Sequence, residues 1–555
     1  MIESYYRDEL RWLHESGRAF ARAHPEAARW LAEPGSDPDV ERLLEGVAFL
    51  SARLRQRAAS VDDEVAQGLC AALLPTALRP LPALAVVRFS GQRDLRECER
   101  VPAGTPLDSV AVEGEPCRFH LAWETQVPPV TVSAIELHPG DFPRLEVHLA
   151  LTPGAVPARL GPQLRLHACG EAPLARALIR ALASPRSLQA VTASGRIVPL
   201  TAAWYGPGVA LPVLPGDPGL ARGHAILAEA LAWPELSRFV ELSGPVGFGV
   251  EAGERGLRLV AELDRLPGEL RGAGPDDLLL GCAPAINLWP AEADPLLVDG
   301  TWRERDLLVG GHPGAEVWAV RGVRGCGQGR PVRAWPQAAA AVAGGPCWQE
   351  LRRTAAVQLA IGPLDREAEH EVLAIDILAH DAQRCLRLGA GDLRVPTIAV
   401  PGSLHFRNLA PPARALDAPQ GAGRVQQIAR RLRLAATGVR SAEDLRQLLD
   451  LHDRRGEVEA AGRSGHLRLA GAVVDLVQQH AAVPLGATAA RAWVSGLELD
   501  EQRLGGAAGA WLLGSVLERA LAALAPLGTV TALRARCSTS GEQLSWPARC
   551  AGATA

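Results

Sequence analysis

Over the first 75 residues the apolar positions recur at helical spacing. Tyr6, Leu10, Leu13, Gly17 and Phe20 follow one another at steps of four and three, which sets them on one stripe of a helix at the period of a packed bundle. This helix is predicted to end near Pro25, or to run on to Trp30 and Leu31 before the Glu33-Pro34-Gly35 break. Asp37 as N-cap, Pro38 at the first helical position, and Asp39 and Glu41 in the first turn predict a second helix. Its apolar face is Val40, Leu43, Leu44, Val47, Leu50 and Leu54. A third is predicted from Ser60, where Ser60-Val61-Asp62-Asp63 resembles a capping box with a shortened acid, through Val65, Leu69 and Leu73 to Pro75.

After Pro82 the period changes. Ala85-Val86-Val87-Arg88-Phe89 reads as a strand, Leu145, Val147, Leu149 and Leu151 alternate strictly, and Leu257-Arg258-Leu259-Val260 continues the pattern. One helix, carrying Leu174, Leu178, Ile179 and Leu182, interrupts them. Further on, Glu371 to Leu378 is predicted as a strand and Arg424 to Leu434 as a helix. Ala442 to Leu451 is predicted as a helix capped by Ser441 with Asp444 three residues on. Strands follow around Leu467 and Val473 and at Ala492-Trp493-Val494, then a helix from about Ala508 to Leu524. No internal repeat is visible. The expected class is α+β, multidomain and elongated: an N-terminal helical module over 1–80, a β-rich region over 81–300, a middle β-containing region over 301–415 and a C-terminal α+β domain over 416–555.

Composition narrows the chemistry. The chain has 555 residues, 48% of them apolar and 22% charged, with a formal net charge of −4, so it is neither disordered nor basic enough to favour nucleic acid. All 58 basic residues are arginine, which removes any lysine Schiff base, phosphate-loop lysine or lysine general base. Ten cysteines are scattered with no C-x-x-C pair, as expected for buried thiols in a reducing compartment. The start lacks the apolar core of a signal peptide and no run of 18 apolar residues follows, so a soluble cytoplasmic protein is expected.

No catalytic motif stands out. H-E-x-x-H is absent, and Gly462-Arg463-Ser464-Gly465-His466 has its second glycine one place too early for a nucleophile elbow. Gly325-Cys326-Gly327-Gln328-Gly329-Arg330 runs into Pro331 where a dinucleotide site needs a helix, so it reads as a turn. Glu367, Glu369, His370, Glu371, His380 and Asp381 form the densest set of metal-ligand types, but strand alternation splits them and a solvated edge is the better reading. His452 stands at a predicted helix C-terminus, where the dipole accounts for it. No catalytic residue, cofactor or metal is expected.

The order of the segments carries more. Tyr5-Tyr6-Arg7-Asp8-Glu9-Leu10, Phe20-Ala21-Arg22-Ala23-His24-Pro25 and the block from Asp37-Pro38 through Glu45-Gly46-Val47-Ala48-Phe49-Leu50 resemble, together and in order, the opening of the TssF (VasA, ImpG) family of type VI secretion baseplate subunits. The resemblance continues. Val101-Pro102-Ala103-Gly104-Thr105-Pro106-Leu107 is similar to a strand-turn segment shared with contractile-phage wedge proteins, and Trp233-Pro234-Glu235-Leu236-Ser237-Arg238-Phe239 stands at an F-P-E-K-F block, with Leu236-Ser237-Arg238 in place of the single lysine. Gly281-Cys282-Ala283-Pro284-Ala285-Ile286-Asn287-Leu288-Trp289 resembles G-C-T-P-x-x-N-L-F, and Trp511 to Arg519 resembles L-F-x-x-V-L-E-R-F. Alanine replaces family aromatics in places, as from Ala520 to Ala525.

The resemblance implies a structural role without turnover: a baseplate wedge built with TssG and a second TssF copy, joined to TssK and close to TssE and the hub and spike proteins. Tyr6, Leu10, Leu13 and Phe20, with Val40, Leu44 and Val47, are then the candidate partner-binding residues, although the same stripes could equally close an internal core. The alternative class is a hydrolase whose Ser464, His466 and a remote carboxylate converge only in three dimensions.

Overall fold

The computed structural model describes residues 2–26, 29–31, 33, 37–91, 95–215, 221–327, 332–338, 345–352, 356–363, 370–418, 428, 438–455, 469–486 and 488–551, with the backbone alone over much of 57–73. The chain divides into two compact units, one of residues 1–78 and 419–432, the other of 79–418 and 433–555.

The first unit is a helical hairpin. Helix α1 spans Ile2–Ala23, a 3-10 turn Arg29–Leu31 follows, and α2 runs unbroken from Pro38 to Leu73. The expected break before Ser60 is absent. Residues 55–59 (Arg-Gln-Arg-Ala-Ala) are strong helix formers with no glycine or proline, so the local cap-like sequence at Ser60 has nothing to interrupt. The start of α2 is as expected: the Asp37 carboxylate accepts from the backbone N–H of Asp39 at 3.0 Å and of Val40 at 3.5 Å, with Pro38 behind it. At Gly17 of α1 an added Cβ would lie 3.5 Å from the Cβ of Leu31, so the 3-10 turn folds back on the glycine.

The second unit is β-rich with helices set among its sheets, in agreement with the α+β class. A six-stranded sheet has the order 393–395, 106–112, 115–121, 282–286, 84–91 and 404–408. Its core holds Phe89, Leu107, Phe119, Leu121, Leu393 and Phe406. The pairing of Val87 with Asn408 and of Arg88 with Arg407 joins segments more than three hundred positions apart in sequence. A five-stranded sheet of order 197–199, 187–192, 256–262, 144–151 and 130–138 and a four-stranded one of order 201–205, 239–243, 163–168 and 278–280 share one core. Helices α3 (Ala172–Ala183), α4 (Ala221–Ala232), α5 (Ala442–His452) and α6 (Ala507–Leu524) contribute to the same core.

A further sheet carries Val372–His380 at its centre, between 289–292 and 316–326. In the last, the strand Thr488–Leu499 pairs antiparallel with Val473–Leu485 and parallel with Val530–Cys537. A parallel pair needs a crossover, and α6 supplies it. Helix α6 is long and apolar enough to cross a bilayer by length and composition, but Ala510, Leu517 and Ala520 are wholly buried, and its apolarity is explained by the protein core on every side.

Several predicted elements stand as read. The Ser441 hydroxyl accepts from the N–H of Asp444 at 3.1 Å while the Asp444 carboxylate accepts from the N–H of Ser441 at 3.0 Å, a complete capping box at the start of α5. The predicted helix at Arg424 to Leu434 and the strand around Leu467 lie outside the described residues.

Candidate protein interface

The face that α1 turns to α2 is set by burial and by two cross-helix pairs. His14 Nε2 lies 2.8 Å from the Glu41 carboxylate, and Arg55 pairs with Glu9. Higher positions on α2 meet lower positions on α1, so the helices run antiparallel. Ala48 and Ala52 are fully buried, small side chains that let the helices approach closely. Of the seven residues nominated from sequence, Tyr6, Leu10, Leu13, Val40 and Leu44 are half-buried on this internal side. Phe20 and Val47 are exposed, at 52% and 48%.

A second stripe of α2 faces away. Leu43, Val47, Leu50 and Leu54 follow at steps of four, three and four and are 70%, 48%, 62% and 71% exposed, with Phe49 beside them at 47%. This is the spacing of a coiled-coil seam. Burying one large aliphatic side chain is worth about 1.5–3 kcal/mol, a gain this stripe does not realise within the chain. The sequence placed Leu43, Leu44 and Val47 on one broad face. The structure divides that face, because Ala48 and Ala52, weak signals in any hydrophobicity pattern, form the actual line of contact with α1.

Several segments singled out in the sequence make internal contacts that join parts of the fold. Asn287 is wholly buried: its Nδ2 donates to the Arg118 carbonyl and to Asp381 Oδ2, both at 2.7 Å, and its Oδ1 accepts from the Asp381 N–H at 2.7 Å. The Gly281-to-Trp289 segment is thus a joint between sheets. Gly281 has φ +70° and an added Cβ would stand 2.5 Å from the Phe89 carbonyl oxygen, so only glycine fits.

Glu367 and Glu369 lie outside the described residues, as do Ser464, His466 and the 328–330 end of the glycine-rich turn. Glu371, His380 and Asp381 are buried and diverge, which corrects the reading of a solvated edge. Glu371 accepts from Trp335 Nε1 at 3.0 Å and pairs with Arg333 at 3.1 Å, whereas Asp381 is held by Arg384, Asn287 and the Arg118 N–H. Burial, in the first place, lowers His380 to about 4.

The Cys117 and Cys385 thiols lie next to Asp381, the three donor atoms all within 4.8 Å of one another, a juxtaposition that sequence separation hides. Asp381 accepts from the Arg118 N–H and Asn287 at Oδ2 and from Arg384 at Oδ1, so its carboxylate ties these segments together. His452 is also corrected. It is buried against His224 and held neutral by desolvation, so it is not the charged complement of a helix dipole.

One unit is an antiparallel helical hairpin with an exposed apolar stripe and the other is built of several sheets with helices among them, which makes this a multi-sheet α+β protein. The fold matches a chain of the type VI secretion TssK–TssF–TssG baseplate subcomplex, solved by cryo-electron microscopy, with a TM-score of 0.73 and 22% identity over 91% of this chain and 98% of that one. It also matches a chain of the type VI baseplate complex, with a TM-score of 0.58 and 21% identity over 99% of both. The family model of the type VI secretion system protein TssF matches residues 1–553, and the chain belongs to that family. Type VI secretion system component TssF1 of Pseudomonas aeruginosa PAO1 is 26% identical over 355 residues, 55% of this chain; the chain spans about half the length of that curated relative, 54%.

Proposed function

We propose that this chain is a structural subunit of a type VI secretion baseplate wedge that assembles with TssG and TssK in the cytoplasm. The family match supports the role, and the solved relatives include a subcomplex of TssK, TssF and TssG. The observation that carries the partner reading is the stripe Leu43, Val47, Leu50 and Leu54, left in water at coiled-coil spacing. In this reading the 1–80 module binds partners, while 81–300, 301–415 and 416–555 form the body. Tyr6, Leu10, Leu13, Val40 and Leu44 shape the hairpin, whereas Phe20 and Val47 reach the partner. A wedge with two copies of this chain per TssG, and neighbours that include TssE and the hub and spike proteins, belongs to the same proposal.

The test follows from the exposures. Leu43→Asp, Leu50→Asp and Leu54→Asp combined should abolish co-purification with TssG and leave the helicity and unfolding temperature of the isolated chain unchanged. Undiminished co-purification of that variant overturns the reading. Leu10→Asp with Leu13→Asp is the contrasting control, which should destabilise the hairpin itself.

A further inference from the structure

The strands 130–138 and 144–151 carry the same short pattern twice, Glu136-Leu137-His138 and Glu146-Val147-His148. Residues two apart on a strand share a face. The register sets Glu136 directly opposite Glu146, Leu137 opposite Leu145 and Ile135 opposite Val147. Leu145, Val147 and Leu149 point into the core at 0%, 0% and 2% exposure, which pins the register, since a slip of one residue would turn them out. All four polar side chains therefore stand together on the outer face.

Their donor atoms have a specific spacing. His138 Nε2 is 3.6 Å from the Glu136 carboxylate and 3.7 Å from Glu146 Oε1, and His148 Nε2 is 3.6 Å from Glu136 Oε1. These separations are too long for hydrogen bonds. The donor atoms of Glu136, Glu146 and His148 all lie within 4.8 Å of one another, close enough to share one ion. His148 Nε2 is shut off from solvent with no hydrogen-bond partner. Arg258 holds Glu146 Oε2 at 2.8 Å and so leaves Oε1 turned towards His138. Two carboxylates facing each other across adjacent strands repel, and a divalent cation between them removes that repulsion.

We propose that Glu136, Glu146 and His148, with His138 beside them, form a zinc site that clips the edge strand 130–138 to its neighbour. Imidazole and carboxylate donors suit zinc, and three protein ligands leave a fourth position to water. The ligands come from one hairpin with Arg258 orienting Glu146 from the next strand, so the site is complete within this chain.

Zinc titration of the full chain, followed by calorimetry, should give one site, and bound zinc should raise the unfolding temperature. His148→Gln should keep the fold and weaken zinc binding by about tenfold or more, and His138→Gln, at the more exposed position beside the ligands, should weaken it less. Cobalt in place of zinc should give a tetrahedral visible spectrum without thiolate charge-transfer bands. Binding that neither histidine substitution weakens, or a cobalt spectrum dominated by thiolate bands, overturns the proposal. The second outcome would move the metal to the cysteines.

Discussion

His224 Nδ1 lies 2.8 Å from His452 Nε2, at a buried contact between α4 and α5. Only one of the two nitrogens can carry the shared proton, and charging either ring would bring a cation into the core. Burial lowers His224 to about 4. It holds His452 well below the ordinary value, with His224 and Arg454 adding to the effect. His167 and His380, both buried, are lowered to about 3 and about 4.

Each of these histidines binds its proton more tightly in the unfolded chain, whose value is about 6.5. The stability they contribute is present above that value and is lost as pH falls towards 4. A histidine moved from 6.5 to about 4 accounts for roughly 3 kcal/mol. Glu229 works the other way. Fully desolvated, with the Leu214 N–H donating to it at 2.8 Å, it is raised to about 8, so its contribution is lost as pH rises from 4.5 towards 8. The unfolding midpoint of the second unit should therefore peak between about 6 and 7 and fall on both sides. Glu229→Gln, which keeps the acceptor oxygen, should remove much of the alkaline decline and leave the acid limb in place. A midpoint that climbs without a break from pH 6 to pH 8.5 would rule this out.

Asn287 satisfies three buried groups at once, and Asp381 depends on it through both its backbone and its carboxylate. Asn287→Ala leaves them unpaired, at about 1–3 kcal/mol for each buried group deprived of its partner. The variant should accumulate poorly, or unfold many degrees earlier than the parent in a thermal scan. Asn287→Asp should be no better, because it sets a second carboxylate against Asp381. Wild-type stability in Asn287→Ala would mean that water takes over these bonds.

What the sequence could reveal was what neighbouring residues decide. The Ser441–Asp444 box, the alternation of Leu145, Val147 and Leu149 and the periodicity of α6 all lie within one element, and all were legible. The Ser60 break failed because a cap-like string is only an option that flanking helix formers can override. The pairing of 84–91 with 404–408, the contact of His224 with His452 and the Cys117–Cys385 pair each join distant segments, and no local pattern announces them. The candidate interface was legible as an apolar helix. Its division into an inner and an outer stripe was not, because two alanines decide it.

At the start of α5 the Ser441 hydroxyl satisfies one of the orphan N–H groups of the helix. Ser441→Ala should cost about 1 kcal/mol, and Ser441→Asn much less, since asparagine caps equally well. Urea unfolding of the two variants separates the cap from any other role of the position. Equal losses in both would show that the cap is not what matters.

Gly514 sits within α6, where an alanine would by helix propensity alone be favourable by about 1 kcal/mol. Packing opposes this. A Cβ there would stand 2.1 Å from the Trp546 ring, whose Nε1 donates to Ser515 Oγ at 2.9 Å. Moving the indole forfeits that bond, about 1 kcal/mol, and overpacking costs roughly 1–3 kcal/mol more. The steric term wins, so Gly514→Ala should destabilise the second unit. The mechanism makes a sharper claim about the pair. Trp546→Leu removes both the indole and the clash, so it should cost much less in the Gly514→Ala background than in the parent. If the two losses simply add in a double-mutant cycle of unfolding free energies, the contact between Gly514 and Trp546 does not govern the position.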